Sequence, residues 1–235
     1  MTERYFTEGI IDADRVTLEG AEAHHLLHVM RAEPGAQVVL FDGQGGEYDA
    51  TVAVCGRASV ELEVTAERAI ERELPYCLTL AVPLPKGDRQ RWLVEKAVEL
   101  GVARLIPLRT DCSSVGRGDH TAKLSRYVIE AAKQCGRNRL MEIAKPVAWQ
   151  QFVQQSEPLP KQRLMAHPGG RPLDQIDLQP TASALAVGPE GGFTDEEVDL
   201  ATSAGWKSVD LGGRILRVET AALALASAVI YSKSS

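Results

Sequence analysis

The sequence predicts an α/β protein in two parts, a small β-barrel followed by a domain built on a parallel sheet. Two observations carry this. Up to about residue 72, short runs with β-branched residues are separated by Pro34-Gly35, Asp42-Gly43 and Gly56. From about Glu73 the rhythm changes, and short apolar runs alternate with stretches of helical periodicity. The expected domains are therefore 1–72 and 73–235, with the boundary near 71–75.

In the first domain, strands are predicted at 15–18, 37–41, 47–54 and 59–65. Between the first two lies AEAHHLLHVMR, a short helical pattern carrying His24, His25, His28 and Arg31. Its histidines suit either acid–base work or the outer face of a barrel helix that meets a partner or water. In the second domain, strands are predicted at 77–82, 104–107, 163–167, 183–187 and 208–211, and helices at 89–100, 123–136, 194–204 and 219–231. Thr194 and Glu197 have the spacing of a capping box, which starts the third of these helices. In the second, Leu124, Val128, Ala131 and Cys135 share one side while Arg126, Glu130, Lys133 and Arg137 share another, so one side packs and the other offers cations. The last helix, ETAALALASAVIY, is apolar nearly all round and belongs in a core or at a subunit interface.

Composition narrows the function classes. With 44% hydrophobic and 25% charged residues the chain reads as a soluble globular protein, and no apolar run is long enough to span a membrane. The expected location is the cytoplasm. Cys55, Cys77, Cys112 and Cys135 are widely spaced without a CxxC pair, so free thiols are expected and no metal site. The formal charge is -6, yet from Lys86 to Arg139 twelve Lys/Arg face six Asp/Glu, a local +6 that leaves -12 for the rest. Such segregation fits either polyanion binding or a solvated basic face.

Three post-strand loops carry the candidate chemistry. GPEGGF (188–193) interrupts an apolar run and precedes the capping box; LGGRILRVETA (211–221) also lies between strand and helix; MAHPGG (165–170) has the same Pro/Gly character. Glycines after strands of an α/β sheet let backbone approach a ligand, although tight connections use the same residues. Together the three loops can form a single pocket. No Walker lysine motif, no G-x-G-x-x-G after an early strand and no G-x-S-x-G elbow is present.

These motifs, with PLPKGDR (83–89), EKAVELGV (95–102), EAAKQCGR (130–137), RYF (4–6) and HHLLHVMR (24–31), resemble the 16S ribosomal RNA uracil-N3-methyltransferase family. The resemblance covers nearly the whole chain. It implies a PUA-like N-terminal barrel, a C-terminal SPOUT domain whose chain threads a trefoil knot, S-adenosylmethionine as cofactor, a homodimer, and 16S rRNA of the small ribosomal subunit as substrate. For the cofactor it implies Met165, Ala166, His167, Pro168 and Gly169; Gly188, Pro189, Glu190, Gly191 and Gly192; and Leu211, Gly212, Gly213, Ile215 and Leu216. Arg217, Glu219 and Glu190 are the charged groups expected nearest the chemistry. Arg4, His25, Arg31, Lys86, Arg89, Lys133, Gln134 and Arg137 are expected on the RNA side. A knotted methyltransferase acting on tRNA or ribose 2′-OH, and an RNA-binding module without catalysis, are the alternatives.

Overall fold

The computed structural model describes residues 3–9, 11, 14–110, 121–154 and 159–232. Cys112, together with Asp111, Arg117 and Asp119 of the basic segment, lies outside them. Two compact units result: Met1–Glu73 with Ile129–Leu140, and Leu74–Val128 with Met141–Ser235.

The first unit is a five-stranded sheet of β1 (Arg4–Phe6), β2 (Arg15–Leu18), β3 (Gln37–Phe41), β4 (Glu47–Cys55) and β5 (Val60–Arg68), in the order β1-β3-β4-β5-β2. Only β1 pairs in parallel, setting Tyr5 opposite Leu40. Along β4 every second residue from Tyr48 to Val52 points inward, as a strand with one buried face requires. Register shifts between Asp49 and Ala50 and between Val52 and Val54 bend the β4–β5 ladder. The strand path is open, with β1 and β2 at its edges, so the expected barrel is a curled half-barrel. Its core includes Tyr5, Leu18, Leu26, Leu40, Val52 and Leu62. Helix α1 (Gly20–His24) runs directly into a π-helical turn (His25–Val29) that buries Leu26.

The second unit is a parallel sheet of β6 (Leu78–Val82), β7 (Arg104–Arg109), β8 (Glu142–Ile143), β10 (Gln162–Pro172), β11 (Ser183–Val187) and β12 (Lys207–Asp210), ordered β12-β10-β11-β6-β7-β8, with β9 (Val147–Ala148) also on β7. Every pair in it is parallel. The central strands β6 and β11 are buried at every position, which accounts for their largely apolar sequence, broken only by Thr79 and Ser183. The helices are α2 (Asp88–Glu99), α3 (Thr121–Cys135), α4 (Trp149–Val153), α5 (Asp195–Ser203) and α6 (Val218–Ile230); the two units share α3, divided at Ile129. Helix α6 packs against α2, β6, β10 and β11, so its apolar character serves the core. Trp149 sits among Phe193, Trp206 and Phe152 at ring separations of 4.6, 5.4 and 6.1 Å, and its Nε1 donates to the Glu197 carbonyl at 3.0 Å. Among the described residues no helix is long and apolar enough to cross a membrane.

Candidate active site

The ends of β10, β11 and β12 open into a cleft of about 600 Å³ lined by residues 166–168, 187–193, 210–218 and Ala221. This lies within the range of small-molecule sites, at the carboxyl ends where parallel sheets bind ligands.

Each wall has a local cause. Both Ala166 and Arg171 register with Val209 of β12, so residues 167–170 bulge out of the ladder. Gly170 is required there because a Cβ would meet the Ser208 carbonyl carbon at 2.7 Å and the Val209 nitrogen at 2.8 Å. The second wall turns tightly, with Gly192 N–H donating to the Pro189 carbonyl at 2.8 Å. Phe193 then enters the aromatic cluster at 6% exposure. Thr194 and Glu197 close the predicted capping box, so the turn is held at its far end as well. The third wall begins with Asp210, whose carboxylate accepts from Gly212 N–H at 2.8 Å. It ends at Arg217, the N-cap residue of α6.

The cofactor residues expected from the sequence converge here, with two exceptions. Met165 is fully buried beneath the wall, and Gly169 lies just outside the lining. Asp210, Phe193, Val218 and Ala221 also line the cleft and were not singled out in the sequence. The Asp-x-Gly spacing at 210–212 was the available signal for Asp210. Ile215 on the third wall is completely exposed.

The charged groups separate by position. Glu190 and Arg217 line the cleft, and both are exposed. Glu219 does not line it; the residue is 5% exposed and lies in the first turn of α6. Arg89, expected on the RNA side, has its Nη1 at 3.4 Å from Glu190 Oε1 and 3.8 Å from Glu219 Oε2.

The cleft suits S-adenosylmethionine. Val187, Leu211, Ile215, Leu216 and Ala221 offer apolar surface, and glycines leave main-chain groups accessible. His167 Nδ1 is buried and has no hydrogen-bond partner among the described residues, an orphan polar atom that a bound ligand would satisfy.

The remaining RNA candidates divide into two groups. Three are engaged inside the first unit: Arg4 with Glu47 and Asn138, Lys133 with Glu22 and over the Tyr5 ring, and Arg137 with Glu73. Glu47, which is 1% exposed, also receives Arg72 and Arg68. Burial pushes its carboxyl up, but the hydrogen bonds and charges of Arg72 and Arg4 override that and bring it down to about 2. His25 is half-buried with its ring 5.9 Å from that of Tyr5. The second group, Arg31, Lys86 and Gln134, is exposed.

A parallel-sheet domain with a glycine-walled cleft at its carboxyl ends, accompanied by a curled β-domain, defines the class. The chain matches the RNA methyltransferase domain over 72–230 and the RNA methyltransferase PUA domain over 18–65. It is 36% identical to the ribosomal RNA small subunit methyltransferase E of Synechocystis, over 96% of this chain and 76% of that one. To the Bacillus subtilis protein of the same name it is 32% identical, over 97% and 96%. A Neisseria gonorrhoeae enzyme of that name, crystallised with S-adenosylmethionine, superposes with a TM-score of 0.87 at 30% identity, covering 97% of this chain and 96% of the other. A methyltransferase from Legionella pneumophila in complex with the same cofactor gives 0.88 at 33% identity, covering 97% of both. The chain belongs to the ribosomal RNA small subunit methyltransferase E family.

Proposed function

We propose that the protein transfers a methyl group from S-adenosylmethionine to N3 of a uridine in 16S rRNA of the small ribosomal subunit. The observation that carries this reading is the cleft formed by three glycine-bearing turns on neighbouring parallel strands. When bound, the cofactor supplies an electrophilic methyl group on a sulfonium.

The chain's own residues bind, orient and handle the proton. Main-chain groups of the three turns would hold the adenine and ribose, with the apolar Leu211, Ile215 and Leu216 available beside them. Uracil N3–H is only weakly acidic, so its removal needs a proton acceptor and positive charge for the resulting anion. Arg217 places a guanidinium on the cleft wall for the uracil oxygens. Glu190, also on the wall, orients the imide or takes its proton. Glu219, buried away from the wall, supports these groups without reacting.

RNA binds through exposed groups, among them Lys86, Arg126, Arg31 and Gln134, with phosphates as the main partners of the cations. Residues 1–72 serve as the RNA-binding domain and 73–235 as the catalytic domain, whose chain threads a trefoil knot around the cofactor turns. Two copies pair and complete the site beside exposed Ile215. The enzyme works in the cytoplasm.

Small subunits from cells lacking the modification, incubated with the protein and labelled S-adenosylmethionine, provide the test. Digested 16S rRNA is expected to yield 3-methyluridine by mass spectrometry. Label in a ribose 2′-O-methyl nucleoside, or in tRNA alone, would overturn the assigned substrate.

A further inference from the structure

Glu219 carries a carboxylate into the interior of the second unit. The residue is 5% exposed, and its Oε2 has no hydrogen-bond partner among the described residues. A buried charge needs compensation, and the N-terminus of α6 supplies only a partial one. The guanidinium of Arg89, with Nη1 at 3.8 Å, supplies a full positive charge. Arg89 reaches this point from the first turn of α2, just after Gly87 turns the chain at φ 65°.

The same nitrogen is 3.4 Å from Glu190 Oε1 on the cleft wall. An exposed ion pair of this kind contributes little alone, because both side chains give up freedom to form it. Here the same nitrogen also faces the buried Glu219, and this second carboxylate adds to the attraction that holds Arg89 beside Glu190.

We infer that Glu219 and Arg89 are positioning residues of the cofactor cleft: buried Glu219 fixes Arg89, and Arg89 holds Glu190 and its glycine turn in place for the ligand. This rests on the reading of the cleft as an S-adenosylmethionine site. It gives Arg89 a role different from the RNA contact that the family resemblance implies.

The test separates cofactor affinity from RNA affinity in the full chain. Calorimetry with S-adenosylmethionine is run on wild type, Arg89→Gln, Arg89→Lys, Glu219→Gln and the Arg89→Gln/Glu219→Gln double variant, with Tm recorded for each. Binding to small subunits is measured across a salt series. Arg89→Gln is expected to weaken cofactor binding about tenfold, on the scale of one lost charge-assisted contact, and to leave the salt slope of RNA binding unchanged. Arg89→Lys should recover part of the affinity. The double variant should be no weaker than Arg89→Gln alone, because the two groups act as one unit.

If Glu219→Gln fails to fold, the two Arg89 variants decide the matter. Unchanged cofactor affinity in Arg89→Gln, with a salt slope reduced by about one, would overturn the inference and restore Arg89 as a phosphate contact. A wild-type protein that binds no S-adenosylmethionine would overturn the proposed function, and this inference with it.

Discussion

The two units use charged residues in opposite ways. In the first, Arg4, Arg72, Lys133 and Arg137 are paired with Glu47, Glu22 and Glu73, so its cations hold a half-barrel together. In the second, glycine turns expose backbone, and Arg217 and Glu190 stand at the cleft wall. Charged residues in a motif are therefore ion-paired within the fold in one unit, while two of them face a cleft in the other. Arg4 meets Glu47 inside its unit, whereas Arg89 of the second unit is shared between Glu219 and the cleft-wall Glu190.

Breaking the first unit's network should give the largest effect. Glu47→Ala leaves Arg4 and Arg72 without their shared anion and is expected to cost about 3–5 kcal/mol by urea unfolding. The native carboxyl lies at about 2 against an ordinary 4.5. Its contribution is therefore fully present above about pH 4.5 and is lost as pH falls toward 2, so a pH series of unfolding midpoints in Glu47→Ala should be flatter than wild type over that window.

The second unit should respond in turnover before stability. Arg217→Ala is expected to lower kcat about a hundredfold in single-turnover assays, with Tm and cofactor affinity near wild type. Gly170→Ala drives a methyl group into the β12 backbone and should destabilise by about 1–3 kcal/mol while weakening cofactor binding. Lys86→Ala, at an exposed position, should have the smallest effect, reducing the salt slope of RNA binding by about one.

Much of this was legible in the sequence, for physical reasons. The central strands of the second unit read clearly because burial on both faces favours apolar runs, as at 184–187. The capping box read clearly because its partners are three residues apart. Long-range pairing did not. The family resemblance places Arg4 on the RNA side, and its acceptors Glu47 and Asn138, 43 and 134 residues away, left no local signal. β1 has only three residues, too few to show a period, and it exists through its parallel pairing with β3.

Within the cleft, the glycine turns were visible as composition, but the geometry of MAHPGG was not. It became a bulge only once Ala166 and Arg171 were seen to share Val209. The resemblance sets Glu219 and Arg217 together near the chemistry, and one helical residue separates their positions. Arg217 remains at the exposed N-cap, while Glu219 turns inward beside Arg89.

Hydrogen exchange with and without S-adenosylmethionine tests the central contrast most directly. Protection should rise at the non-proline amides of 166–170, 188–193 and 210–218 and stay unchanged in the half-barrel strands. Protection that appeared in β3 to β5 instead, or at none of the three turns despite saturating cofactor, would contradict the assignment of the cleft.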